Sequence, residues 1–425
     1  MTEAAPSTAP TLFMLGGAFS LLALLSPKAA LFVLLPTMAL APEMLVGGVL
    51  LRPDDLMLTV LLVSWGARRL TNPRQRTPLD GALWLYAAIG LLATLWGAAI
   101  GTADLQSLHQ YSASGLHVLK RLQFVLYFLF LTDTLRTAKD VRTYTYVLMV
   151  ALAGLSLYSL GRFYETGRIA IAPFGAAIHE PGLAAMLNVA LALGLLVASR
   201  RLSSSVLSGA VLLGSLWVLP FSLGRNFLVS TMGMLGLVAL SSKRALLLLL
   251  PLGWALAPIL FPEHVLARMT SIRWAFTDVG AGPAGASTYL PSRLQPGLVY
   301  TWDVLTSSPL LGWGLGSVPL GSMDSEYAGQ LVTTGIVGFA VFLVLLVRIR
   351  RITRATYHAA RTQGSPALPY ITGLQHGLLG YALYSVFSPS ISAARAGAFF
   401  FTILAFVAVL HRELVGSASK AVGHP

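Results

Sequence analysis

Arginines without acidic neighbours, and carboxylates paired beside apolar runs, are the residues here whose type and spacing can do chemistry. Arg225 stands in Phe221-Ser222-Leu223-Gly224-Arg225-Asn226, a tight turn between two apolar runs with no acid nearby in sequence. It reads either as an anion ligand or as an arginine snorkelling to lipid headgroups. Arg162 and Arg168 flank Glu165 in Gly161-Arg162-Phe163-Tyr164-Glu165-Thr166-Gly167-Arg168. An ion pair to Glu165 accounts for one of them and leaves the other over. Arg293, in Pro291-Ser292-Arg293-Leu294, opens a predicted helix, where a lone surface arginine is also unremarkable. Lys120 and Arg121 sit about one and a half turns inside the end of their predicted helix. They either join the same site or snorkel. Guanidinium groups give planar, bidentate hydrogen bonds to phosphate oxygens and stay charged where water is scarce. Several converging on one pocket would suit a diphosphate.

The acidic half is Met323-Asp324-Ser325-Glu326-Tyr327, directly before the apolar run Leu331-Val332-Thr333-Thr334-Gly335-Ile336-Val337-Gly338. Two carboxylates at i and i+2 can include a general base. At a helix N-terminus they can equally do no more than complement the macrodipole. His179-Glu180, before the run that starts at Pro181, is a second acid–base pair by type, and loop polarity with N-terminal capping is its plainer reading. Leu311-Gly312-Trp313-Gly314-Leu315-Gly316-Ser317 imitates a nucleotide loop. It follows no strand and lacks the Lys-Ser/Thr of a phosphate-binding loop. A tight glycine-rich turn packed on its neighbours is the better account.

These residues are set in a chain built for lipid. Of its 425 residues 56% are hydrophobic and only 11% charged, and mean hydropathy is +0.74. Soluble domains carry about 25% charged residues. Apolar runs such as Ala82 to Ile100 and Phe227 to Leu240 recur along the whole chain, and about 20 such residues cross a bilayer as a helix. The net charge of +13 does not point to nucleic acid. Eighteen of the 29 Lys and Arg fall in one alternating set of loops: 68–76, 136–142, 200–201, 243–244, 348–361 and 412–420. That is the positive-inside bias of cytoplasmic loops. With no cysteine, disulfides and thiolate chemistry are excluded. The first ten residues lack the basic start of a signal peptide.

Hydropathy and the basic loops predict an all-α, polytopic bundle of twelve or thirteen helices. The predicted helices lie near 11–25, 29–42, 54–67, 80–101, 115–135, 141–161, 182–199, 206–223, 225–242, 245–261, 329–347, 368–388 and 391–411. Residues 1–261 hold the first group with short outer loops, 262–328 form a large outer segment, and 329–425 hold the last three spans and a cytoplasmic tail. The orientation of the N-terminus depends on whether the first two helices both span. The outer segment is rich in Gly and Pro yet carries Trp274, Trp302 and Trp313, so a partly ordered cap with helices near 265–276 and 293–307 is expected. Outer stretches at 43–53, 102–114 and 162–181, with tight turns at Leu223 to Arg225 and Ser388 to Ser390, share its face. The chain shows no internal repeat and no matched pair of broken helices, the pointers a transporter or flippase gives.

Three segments together resemble the O-antigen ligase and O-antigen polymerase superfamily. They are Ser308-Pro309-Leu310-Leu311-Gly312-Trp313-Gly314-Leu315-Gly316-Ser317, then Asp324-Ser325-Glu326-Tyr327, then Thr334-Gly335-Ile336-Val337-Gly338. The layout is similar too: a long outer loop before the last three helices, Arg293 ahead of the Pro309 turn, Arg225 in a Ser-x-x-Arg turn, and an arginine-bearing loop from Gly161 to Pro181. The resemblance implies a GT-C-like glycosyltransferase of a bacterial inner membrane, needing no metal or other cofactor. Its donor would be a glycan on undecaprenyl diphosphate at the periplasmic face. Its acceptor would be a glycan, lipid A core or a protein, and a chain-length regulator is a further implied partner. Arg168, Arg225 and Arg293 would map to the diphosphate, with Arg162, Arg121 and Lys120 as further candidates. Where the family's ligases carry a His, eleven residues before the helix-entry glycine, this chain has Asp324. That departure favours polymerase over ligase and leaves Asp324, Glu326 or His179 as the base.

Overall fold

In the computed structural model, residues 18–40, 44–46, 49–70, 74–103, 114–166, 180–198, 202–222, 224–241, 249–274, 299–318, 325–392 and 394–422 are described. After a helix at 18–25 the chain runs through α1 (Pro27–Leu40), a two-stranded antiparallel hairpin of β1 (Met44–Val46) and β2 (Val49–Leu51), and α2 (Pro53–Arg69). The strands pair Met44 with Leu51 and Val46 with Val49. Then follow α3 (Asp80–Ala99), α4 (Ser114–Thr134), α5 (Ala138–Thr166), α6 (Glu180–Ala198), α7 (Leu202–Phe221) and α8 (Arg225–Ser241). α9 (Leu249–Leu260), α10 (Glu263–Trp274), a helix at 299–307, α11 (Glu326–Thr362), α12 (Leu368–Tyr384) and α13 (Ala394–Val422) complete the chain. The protein is a multi-pass, helical membrane bundle. Among the described residues six helices are long and apolar enough to cross a bilayer, and Pro27–Leu40, Ser205–Phe221 and Asn226–Ser241 are shorter apolar helices.

α6 sits at the centre, packed on α5, α7 and α12. Glycines make the closest approach possible, because a methyl group on Gly194 would lie 2.1 Å from the backbone N of Gly373. Small residues let membrane helices reach backbone contact, where dispersion and not the hydrophobic effect holds them together. α13 packs on α4 and α11, and α11 packs on α3.

Several helices outrun the spans expected from hydropathy. α11 covers Glu326–Thr362 where 329–347 was expected, α5 covers Ala138–Thr166 where 141–161 was, and α13 reaches Val422 beyond the expected end at 411. In α11 the cause is visible. Past the apolar stretch, Ile349, Ile352, Thr353, Thr356 and Ala360 stay buried at helical spacing while the arginines face outward. Hydropathy ends where the lipid ends, but an amphipathic helix continues. The expected helix near 265–276 is α10. Of the one near 293–307, residues 299–307 are helical and the remainder lies outside the described residues.

Candidate functional site

The site begins with a break in α11. Gly335 has φ 64° and ψ −171°, a conformation outside the helix, and the chain turns back there. Tyr327 and Phe342 have ring centroids 5.8 Å apart, although 15 residues of straight helix would separate them by about 22 Å. The break orphans backbone groups, which apolar surroundings make costly. The glycine-rich turn takes them up. Trp313 and Gly314 N–H donate to the carbonyls of Val332 and Thr333, both at 3.0 Å, while Ile336 and Val337 N–H donate to those of Pro309 and Leu310 at 2.9 and 3.2 Å. The contact demands glycine on both sides: a methyl group on Gly335 would lie 2.3 Å from the Leu310 carbonyl oxygen, and one on Gly312 would lie 2.6 Å from Gly335 N. The turn is also tied to α3, where the Leu315 N–H donates to Thr94 Oγ1 at 3.0 Å and the Trp96 indole donates to Ser308 Oγ at 2.8 Å.

Under this spliced break lies a pocket walled by α3, α4, the first arm of α11 and the turn after α12. α4 presents His117, Lys120, Arg121 and Phe124 to it, a single helical face at i, i+3, i+4 and i+7. Arg121 is buried, at 8% exposure. Its guanidinium carbon lies 4.2 Å from the centroid of the Tyr86 ring, and its Nη2 donates to Gln330 Oε1 at 3.2 Å. Among the described residues Arg121 forms no ion pair. Lys120 is paired with Asp55 of α2 and still lines the pocket.

Gln330 joins the two charges. Its Nε2 donates to Tyr86 Oη at 3.0 Å and to Glu326 Oε1 at 2.7 Å. Glu326 is buried at 1% exposure. Its other oxygen, Oε2, accepts from the backbone N–H of Ser390, Ile391 and Ser392 at 2.9, 3.1 and 3.2 Å and from Ser392 Oγ at 2.9 Å. Its own N–H donates to the Ser385 carbonyl at 2.8 Å. A carboxylate so surrounded is a clamp between the start of α11 and the turn after α12. Ser325 caps that helix, its hydroxyl accepting from the Ala328 N–H.

Lys120, Arg121 and Glu326 thus meet in one pocket. Arg162 is elsewhere: it is exposed, donates to Glu165 at 2.7 Å, and does not line the pocket. Arg225 opens α8 by its backbone, but its side chain is outside the described set. Arg168, His179, Arg293 and Asp324 lie outside the described residues. The sequence reading missed Tyr86, His117 and Gln330. His117 carried a usable signal, since it shares a helical face with Lys120 and Arg121. Tyr86 and Gln330 carried none, being joined across 244 positions. Comparison with protein-family models finds no match, and comparison with curated proteins finds none.

Proposed function

We propose that the chain is a glycosyltransferase that polymerises or transfers undecaprenyl-diphosphate-linked oligosaccharide units at the periplasmic face of a bacterial inner membrane. The observation that carries this reading is Arg121, buried in the pocket beside Lys120 and His117 and, among the described residues, without a carboxylate partner. A buried charge is expensive unless paired. The aromatic face and one amide offset part of that cost, and an anionic ligand would supply the rest. The pocket has a volume of about 110 Å³, below the roughly 300–1,000 Å³ that encloses a whole small ligand. It suits the charged joint of a larger amphiphile, with glycan and lipid lying outside.

A diphosphate-linked sugar is already activated. The acceptor hydroxyl oxygen forms a bond to the anomeric carbon as the bond from that carbon to the phosphate oxygen breaks, with inversion. The electron pair leaves with the diphosphate, where Arg121 and Lys120 stabilise the growing charge. The hydroxyl proton passes to a base. Glu326 has its Oε2 filled by four donors and acts as a positioning residue. Asp324, one residue before the pocket-lining Ser325, takes the proton. Arg168, Arg225 and Arg293 remain the further diphosphate contacts on this reading.

The test is purified protein with a single lipid-linked repeat unit. A ladder of products identifies a polymerase. Product only on adding lipid A core or a protein acceptor identifies a ligase, and no product under either condition refutes the reading. Arg121→Ala should lower the rate about 100-fold or more with membrane insertion unchanged. Asp324→Asn should do the same, and full activity there would move the base elsewhere.

A further inference from the structure

A second recess lies toward the other end of α11, where it faces α12 with α8 and α13 alongside. It has a volume of about 650 Å³, within the range of a pocket for a whole ligand. Arg350, Arg354, His358 and Arg361 line it. Their spacing of i, i+4, i+8 and i+11 puts them on one face of the helix. None of the lining residues is acidic. Among the described residues these arginines form no ion pair, and their one side-chain hydrogen bond runs from Arg354 Nε to His358 Nε2 at 3.5 Å.

The body of the recess is apolar. Leu346, Val347, Leu378 and Leu379 line it, and Val347 is 47% exposed, facing outward from the bundle. Two contacts show how deep it runs. Thr356 Oγ1 meets His411 Nδ1 at 3.0 Å, and Arg412, the next residue, donates to the carbonyls of Thr132 and Leu135 at the end of α4. Thr356 is therefore level with the mouth of the bundle. Arg350 lies six residues earlier, about 9 Å deeper. Farther in, His376 is 6% exposed and lines the recess; its ring hydrogen-bonds the Ala190 backbone, and among the described residues its buried Nδ1 has no partner. An unsatisfied buried nitrogen at that depth calls for a polar atom from an occupant.

We infer that this recess holds an anionic phospholipid of the leaflet on the arginine-rich side. The phosphate lies between Arg350 and Arg354, with Arg361 and His358 toward water. The ester region lies near His376 and Gln375, and an acyl chain runs along Leu378 and Leu379. Basic pockets between membrane helices recognise lipid headgroups by this combination of charge and depth. The inner end of the recess reaches Ser385 and Ile391, the residues that bond the backbone N–H and carboxylate of Glu326. A bound chain would pack against the far side of the clamp.

The test places the full-length protein in nanodiscs of phosphatidylglycerol and phosphatidylcholine in equal amounts and measures the lipid that stays bound by native mass spectrometry. The wild type should retain phosphatidylglycerol preferentially. Arg350→Gln, Arg354→Gln and Arg361→Gln, added in turn, should lower that preference about fivefold each. Arg348→Gln with Arg351→Gln removes two exposed charges from residues that do not line the recess and should change it less than about twofold, because charges in open water away from the bound phosphate are screened by salt. Equal losses in both series, or no loss in the first, would overturn the site. Leu378→Trp should reduce retention without altering charge, and unchanged retention would also overturn it. Displacement of the lipid by millimolar inorganic phosphate would show a free-anion site instead.

Discussion

Arg52 and Arg121, two of the three buried arginines among the described residues (Arg395 is the third), sit on neighbouring parts of this bundle and differ in what neutralises them. Arg52, at 1% exposure, faces Asp54 at 3.0 and 2.8 Å through Nε and Nη2 and also donates to the Met38 carbonyl. Arg121, at 8%, has an aromatic ring and a neutral amide. The first is complete within the protein and ties the start of α2 to α1. The second has its charge left over. Burial alone therefore does not distinguish the two; among the described residues, what does is the carboxylate beside Arg52 that Arg121 lacks.

That contrast can be broken from either side. Arg52→Ala strands the Asp54 carboxylate in the interior and should cost about 3–5 kcal/mol of stability, read as a fall in thermal unfolding temperature. A variant as stable as the wild type would mean the pair is not structural. Glu326→Gln replaces an acceptor oxygen with a donor among backbone N–H groups and should cost about 1.5–3 kcal/mol. Residual activity should fall in step with stability. Background activity with unchanged stability would return Glu326 to the chemistry. Arg162→Ala removes an exposed i,i+3 pair, 50% and 63% exposed at its two side chains. Its effect on unfolding should stay within about 1 kcal/mol, with turnover intact, and a large loss of turnover would place Arg162 in a substrate contact.

The sequence made the bundle legible because lipid leaves a long, simple signature: apolar runs separated by basic loops. It also marked the glycine-rich run as a turn packed on its neighbours, because the run follows no strand and lacks the Lys-Ser/Thr of a phosphate-binding loop. Its helix ends were less legible, as α11 shows, since hydropathy measures the solvent and not the backbone. The site was legible by residue type and not by role. Lys120 and Arg121 read equally well as ligands or as snorkelling side chains, because the deciding partners, Asp55 and Gln330, are 65 and 209 positions away. Glu326 read as a base or a dipole partner, because nothing local reveals that the amides of 390–392 close around it. The reversal at Gly335 was hidden inside an apolar run that looks continuous.

Binding of undecaprenyl diphosphate, without its glycan, to wild type and to Arg121→Gln in nanodiscs is the most direct measurement. If the uncompensated guanidinium is the anchor, the variant should bind about tenfold more weakly or worse, while Arg52→Gln, wherever it still folds, should bind as the wild type does. Equal affinity for Arg121→Gln and wild type would contradict the account.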